Sequence, residues 1–270
     1  MKLIALDMDG TLLNSQGHIS AANRSALKEF TERTDGYIAV CSARPLKTLL
    51  SLLKSEQVIA SIRYVAGFNG GQIFDVLNDK IIFERKMTRT EIRSIDAAVK
   101  LYQYDHHFFT DKEIKYSNCN TVSRHTLYEA KIFNLTSKQY PLSEIFNSTD
   151  IYKITVCGDR FFIPKYQENI QETLPPGFIS LITGDHYIDI QPAGIDKGHA
   201  VERIKSELSL LTEEVMAVGD QQNDLPMFRA AGTGVAMGNA GDDVREAADM
   251  VTAHNDRDGV ACVIKRLLYQ

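Results

Sequence analysis

The chain has 270 residues, 44% hydrophobic and 24% charged, which suits a soluble globular protein of one large domain or two modest ones. A net charge of −5 with no long basic run argues against a nucleic-acid partner, and no apolar stretch reaches the length of a membrane span. Cys41, Cys119, Cys157 and Cys262 are widely scattered with no CxxC pair, so neither a zinc site nor a disulfide framework is expected, and a reducing, cytoplasmic setting is.

The opening Met1-Lys2-Leu3-Ile4-Ala5-Leu6 is apolar, but Asp7 cuts it before a signal-peptide core could form. Leu3–Leu6 predicts a strand, Ser20 can cap a helix over Ala21–Arg33, and Tyr37–Cys41 predicts the next strand. A helix follows, with Pro45 near its first turn and the core-forming run Leu46, Leu49, Leu50, Leu52, Leu53. Arg63–Ala66 predicts a third strand, and Gln72–Val76 with Lys80–Glu84 a hairpin around Leu77-Asn78-Asp79.

The character then changes. Thr88-Arg89-Thr90-Glu91 matches a capping box and opens a helix to about Leu101. His107–Thr110, Glu113–Tyr116, Ile151–Cys157, Phe178–Thr183 and Tyr187–Ile190 predict strands, with helical stretches near Val122–Lys131 and Pro164–Thr173. Strands arriving in groups point to an α+β unit of its own. From Ile195 the alternation resumes: helix Lys197–Leu208, strand Val215–Val218, helix Asp224–Ala231, strand Thr233–Met237, helix Asp242–Ala248 and a last helix from Val260. The expected fold is α/β, a doubly wound, mainly parallel sheet over 1–83 and 191–270, with an α+β domain inserted over 84–190. No internal repeat and no low-complexity segment is visible.

Chemistry concentrates at three predicted strand ends. The first carries Asp7-Met8-Asp9-Gly10-Thr11, two carboxylates at i and i+2 that an extended segment points to one side. Their mutual repulsion calls for a cation or a shared proton. The second end delivers Ser42, and the strand at Val215–Val218 delivers Gly219-Asp220-Gln221-Gln222-Asn223-Asp224. In a parallel sheet these ends open onto one edge, where open α/β sheets bind ligands, and Lys197 can reach the same edge from its helix. Acids, a hydroxyl, a lysine and an asparagine together suit phosphoryl transfer. A carboxylate can carry the phosphoryl group covalently, Mg²⁺ relieves repulsion among Asp7, Asp9 and Asp220, and Lys197 with the hydroxyl steadies the transferring oxygens.

These residues resemble the ordered motifs of the haloacid dehalogenase superfamily phosphatases, in the Cof-like branch with a type IIB cap. Four motifs match in order: Asp7 to Thr11, Ser42 with Arg44-Pro45, Asp196-Lys197-Gly198, and Gly219 to Asp224. Asn69-Gly70-Gly71 and Met237-Gly238-Asn239-Ala240 also resemble recurrent segments of that branch. The resemblance implies that Asp7 attacks phosphorus and that Asp9 serves as general acid and then general base. It implies Mg²⁺ on Asp7, the Asp9 backbone carbonyl, Asp220 and Asp224, with Lys197 neutralising Asp7 and the phosphoryl charge. Gly10, Ser42, Ala43, Arg44 and Asn223 would contact the substrate. The branch usually reads Thr-Gly-Arg where this chain has Ser42-Ala43-Arg44; serine keeps the hydroxyl, while alanine for glycine bears on the local turn. The implied cap closes over the strand ends, excludes water and selects the organic part of the substrate.

The expected activity is Mg²⁺-dependent hydrolysis of small phosphorylated metabolites, sugar phosphates first, then FMN, pyridoxal phosphate or nucleotide phosphates, by a monomer or homodimer. The motifs equally permit a sugar phosphomutase; a catalytically silent phosphate-binding regulator would be marked by a missing nucleophile or metal acid, and neither is missing. Among the remaining candidates, Ser42 and Asn223 can also act as helix caps. His106 and His107 face opposite ways on a strand and are expected to be structural, Arg124 and His125 to lie on a helix surface, and Asp185-His186 to form a hairpin turn.

Overall fold

The computed structural model describes residues 1–117 and 122–269, so Cys119 lies outside the described residues. Strand β1 is Leu3–Leu6. The chain then makes a wide turn over Met8–Leu12, and Ser20 caps α1 (Ala21–Arg33) by accepting the Asn23 N–H. Next come β2 (Tyr37–Cys41), α2 (Leu46–Ser55), β3 (Tyr64–Gly67) and the antiparallel pair β4 (Gln72–Asp75) and β5 (Lys80–Glu84).

The inserted segment begins with α3 (Arg89–Lys100), whose Thr88–Glu91 capping box is formed on both sides. It continues through β6 (Asp105–Phe109), β7 (Glu113–Tyr116), α4 (Arg124–Ile132), β8 (Thr136–Gln139), α5 (Leu142–Asn147), β9 (Lys153–Cys157), α6 (Ile163–Thr173), β10 (Phe178–Gly184) and β11 (Tyr187–Pro192). The chain returns with α7 (Lys197–Glu207), β12 (Val215–Gly219), α8 (Leu225–Ala230), β13 (Thr233–Ala236), α9 (Asp242–Glu246), β14 (Met250–Val251) and α10 (Gly259–Tyr269).

Two compact units result, Met1–Glu84 with the chain from Ile195 onward, and Arg85–Gly194. The second junction falls after residue 194 rather than 190, because Gln191 and Pro192 still pair with Ile179 and Phe178 of β10. Among the described residues no helix is long and apolar enough to cross a membrane.

The first unit is built on a sheet ordered β14-β13-β12-β1-β2-β3-β4-β5, parallel from β14 to β3 and antiparallel beyond. Its central strands are buried on both faces, as a doubly wound sheet requires. Ile4, Leu6, Ile38 and Val40 pack with Leu27, Leu49 and Val260 of α1, α2 and α10. Leu3, Ala5, Ala39 and Cys41 pack on the other side with Val201, Ile204 and Met227 of α7 and α8. The inserted unit has its own sheet, β10-β11-β9-β6-β7-β8, antiparallel except between β7 and β8. Its core gathers Ile92, Ile95, Phe108, Ile154, Ile170 and Ile188.

His106 and His107 do face opposite ways. The first meets Asp96 at 3.0 Å, while the second lies 2.7 Å from Glu129 and 3.0 Å from the Thr126 hydroxyl, all of them buried. Asp185 and His186 form the two-residue connection of β10 to β11, and the His186 ring meets the Gly158 carbonyl. Arg124 is exposed and His125 half-buried at the start of α4.

Candidate active site

Strands β1 and β12 run parallel and in register, Leu6 beside Val218, so both loops leave the sheet at the same edge. The last rung is the Asp7 N–H donating to the Val218 carbonyl, and Asp7 therefore sits where β1 leaves its ladder. Ser42 follows β2 on the other side of β1, with its N–H on the Ala66 carbonyl. Both side chains are buried.

Lys197 is the first residue of α7, whose N-cap Asp196 accepts the His199 N–H at 2.8 Å. Its ammonium lies 2.5 Å from Asp7 Oδ1 and 2.5 Å from Asp224 Oδ1, and it is buried. Burial alone would lower its pKa, but Asp224 and Asp7 outweigh that and raise it. The other Asp224 oxygen accepts the N–H groups of Asp220 and Gln221, both at 2.9 Å, which folds the β12 loop around it. Asp224 thus anchors the lysine and the loop at once.

Asp220 accepts from the Thr11 hydroxyl at 2.9 Å and from the Gln221 amide at 3.2 Å. Burial, reinforced by Asp224, pushes its carboxyl up to about 6 against the Thr11 hydrogen bond. Asp7 is also held well above the usual carboxylate range, by burial first and then by Asp224, against the pull of Lys197. Oxygens of Asp7, Asp220 and Asp224 all lie within 4.8 Å of one another. Three buried carboxylates against one lysine leave an excess of negative charge on hard oxygen donors, and such a set fits a small divalent cation.

The Asp9 side chain turns elsewhere, half-exposed, and is gripped by the buried Arg44 guanidinium, Nε to Oδ2 at 2.7 Å and Nη2 to Oδ1 at 2.6 Å. Gly10 has φ +79, and a Cβ there would lie 2.3 Å from Asp220 Oδ2, so only glycine lets the two loops close up. Ala43 is absent from the residues of positive φ, so alanine fits the turn where the branch usually has glycine. The Ser42 hydroxyl accepts the Arg44 N–H at 3.2 Å, inside the turn rather than as the cap of α2, whose N-cap is Pro45. Asn223 caps no helix: its amide donates to Asn69 Oδ1 at 3.3 Å, and its own buried Oδ1 finds no partner among the described residues.

All the expected side chains of this unit therefore gather at one sheet edge, with Asp9 and Arg44 forming a separate pair. Three contributors went unassigned from sequence. Thr11 orients Asp220, Asn69 (φ +52) links the β3 end to Asn223, and Asn239 reaches the Gly10 carbonyl at 2.8 Å. Each lies inside a segment the motifs had marked, but their partners are far away in sequence.

Residues 4–264 match the family of haloacid dehalogenase-like hydrolases. The 5-amino-6-(5-phospho-D-ribitylamino)uracil phosphatase YcsE of Bacillus subtilis (strain 168) is 31% identical over 266 residues, 98% of this chain and 95% of its own. The crystal structure of SMU.1108c from Streptococcus mutans UA159 superposes with a TM-score of 0.88 at 26% identity, covering 100% of this chain and 99% of that one. The subclass IIB sugar phosphatase BT4131 shares the fold, with a TM-score of 0.84 at 23% identity over 99% of both chains. The chain belongs to the haloacid dehalogenase-like hydrolases and is a phosphatase of that family.

Proposed function

We propose that the protein hydrolyses small phosphomonoesters in a Mg²⁺-dependent reaction through a phosphoaspartate on Asp7. The observation that carries this reading is the buried cluster in which Lys197 bridges Asp7 and Asp224 at 2.5 Å beside Asp220. Asp7 and Asp220 through their carboxylates, and Asp9 through its backbone carbonyl, would hold Mg²⁺, which when bound supplies neutralising charge for the carboxylates and the phosphoryl oxygens. Asp224 completes the carboxylate set around that cation and also acts through Lys197, one of its oxygens meeting the lysine and the other the loop N–H groups.

Asp7 attacks phosphorus and the bond to the ester oxygen breaks, while Asp9 delivers a proton to that oxygen. Water then attacks the phosphoaspartate, Asp9 takes its proton, and inorganic phosphate leaves with Asp7 restored. Lys197 neutralises charge on Asp7 and the phosphoryl oxygens throughout, and the Ser42 hydroxyl and Asn223 contribute hydrogen bonds. The partnerless Asn223 Oδ1 supports a place for it toward a ligand, since a buried orphan acceptor is otherwise a net cost. Arg44 acts through Asp9, fixing the plane of its carboxylate in the resting site, and Asp9 takes up the proton it delivers as it exchanges that grip for the ester oxygen.

Phosphorylated sugars and sugar alcohols are the first substrate class, supported by the ribityl phosphate named for the relative YcsE; FMN, pyridoxal phosphate and nucleotides come second. The test is phosphate release from a panel of about fifty phosphorylated metabolites, with and without Mg²⁺, beside Asp7→Asn. Metal-dependent release that disappears in the variant is expected. Folded protein inactive on the whole panel, or an isomeric sugar phosphate formed in place of inorganic phosphate, would overturn the reading.

A further inference from the structure

The loop after β13 reaches into this site through one side chain. Asn239 donates its amide N–H to the Gly10 carbonyl at 2.8 Å and lies 3.4 Å from Asp220 Oδ2. It is held in turn from behind: its Oδ1 accepts the Asn255 N–H at 3.0 Å, and Asn255 donates its own amide to the Leu13 carbonyl at 2.9 Å. Asp256 grips the same turn through the Ser15 N–H at 2.7 Å. The turn that carries Asp9 is thereby tied, at its middle and just past its far end, to the segment around residues 239–256.

The geometry matters because the two groups meeting at Asn239 belong to different strands. Gly10 follows β1 and Asp220 follows β12, and a Cβ on Gly10 would collide with the Asp220 carboxylate. Two loops this close, one bearing a carboxylate, drift apart unless something fixes the peptide plane between them. An asparagine amide carries two N–H groups on one nitrogen, enough to hold a carbonyl and a carboxylate oxygen together. Thr11 supplies the opposite grip, on Asp220 Oδ1.

We propose that Asn239 is a positioning residue for the metal site, clipping the Gly10 carbonyl to the Asp220 carboxylate so that the β1 and β12 loops present their oxygens at a fixed spacing. The proposal rests on the Mg²⁺-phosphatase reading and deepens it: Asn239 touches neither substrate nor metal, and sets how tightly the loops take a cation. Residues that orient metal ligands from behind are worth about ten- to a hundredfold in affinity.

The test is Mg²⁺ binding by titration calorimetry, with the metal-free melting temperature measured alongside, on wild type, Asn239→Ala and Asn239→Ser. Serine is too short to span to Gly10, keeps a hydroxyl near Asn255, and serves if the alanine variant does not fold. A Mg²⁺ Kd raised about tenfold or more, with metal-free melting within a few degrees of wild type, is expected. A lowered melting temperature with unchanged Kd would mean that Asn239 is merely structural and would overturn the proposal. Wild-type protein that takes up no Mg²⁺ would defeat the underlying reading itself, whereas wild-type binding matched by both variants would defeat the positioning role alone.

Discussion

At the scale of single residues the site is electrostatically overdrawn in one direction. Asp7, Asp220 and Asp224 crowd within 4.8 Å, and burial with mutual repulsion raises the carboxyls of Asp7 and Asp220. The charged form of Asp7 is thus disfavoured in the fold even with Lys197 beside it. Asp7→Asn should therefore abolish turnover, by at least about a thousandfold, while metal-free protein melts at or above the wild-type temperature. Near-normal turnover in that variant, followed by phosphate release, would sink the mechanism. The sign for Asp220 follows from its shift. A carboxyl raised from 3.8 to about 6 binds a proton more tightly in the folded protein, so metal-free stability falls as pH rises through that window and levels off above it. Mg²⁺ must displace that proton, so its affinity should weaken as pH falls below about 6. Melting curves at about pH 5, inside that window, and at about pH 7.5, above it, with and without Mg²⁺, check both signs. Stabilisation by Mg²⁺ that is larger at the lower pH would contradict them.

Among the elements, the turn after β1 carries the tightest steric demand. A methyl on Gly10 meets the Asp220 carboxylate and must also tolerate φ +79, so Gly10→Ala should lose about 1 kcal/mol to backbone strain and at least tenfold in Mg²⁺ affinity (~1.4 kcal/mol). Calorimetric titration measures the second and denaturant unfolding the first. Arg44→Lys exchanges a two-pronged grip on Asp9 for a point charge and should lower kcat by roughly a hundredfold, read from steady-state rates at saturating Mg²⁺. An unchanged kcat would show that Asp9 needs no fixed plane. Which of these elements were legible depends on how local their causes are. Thr88 and Glu91 announce α3 because capping is settled within four residues. Strand β8 is Thr136-Ser137-Lys138-Gln139, polar and largely exposed at a sheet edge, and gives no alternation to read. Helix α5 spans six residues with Ile145 alone buried, and β14 only two. The Asp9–Arg44 and Gly10–Asn239 contacts join residues 35 and 229 positions apart, which no local pattern encodes.

For the whole molecule, the alternation of strand and helix before Glu84 and after Ile195 reflects one doubly wound sheet, and its interruption reflects a second sheet with a separate core. The change in pattern was readable because burial on both faces gives continuous apolar strands such as Leu3–Leu6, whereas the inserted strands mix apolar and polar positions, as in Asp105–Phe109. The junction after Gly194 was not, since Gln191 and Pro192 look like a turn and yet extend β11. This division carries a consequence for stability. Every proposed metal ligand lies in the first unit, while Ile154, on a central strand of the inserted sheet, is fully buried in the other core. Ile154→Ala should cost the inserted unit about 2–5 kcal/mol, yet leave the Mg²⁺ Kd within about twofold of wild type. Scanning calorimetry should then resolve two components, one raised by Mg²⁺ and one lowered by the substitution, because each core unfolds as its own cooperative block. A single transition that both perturbations move together would show instead that the two cores share one unfolding step.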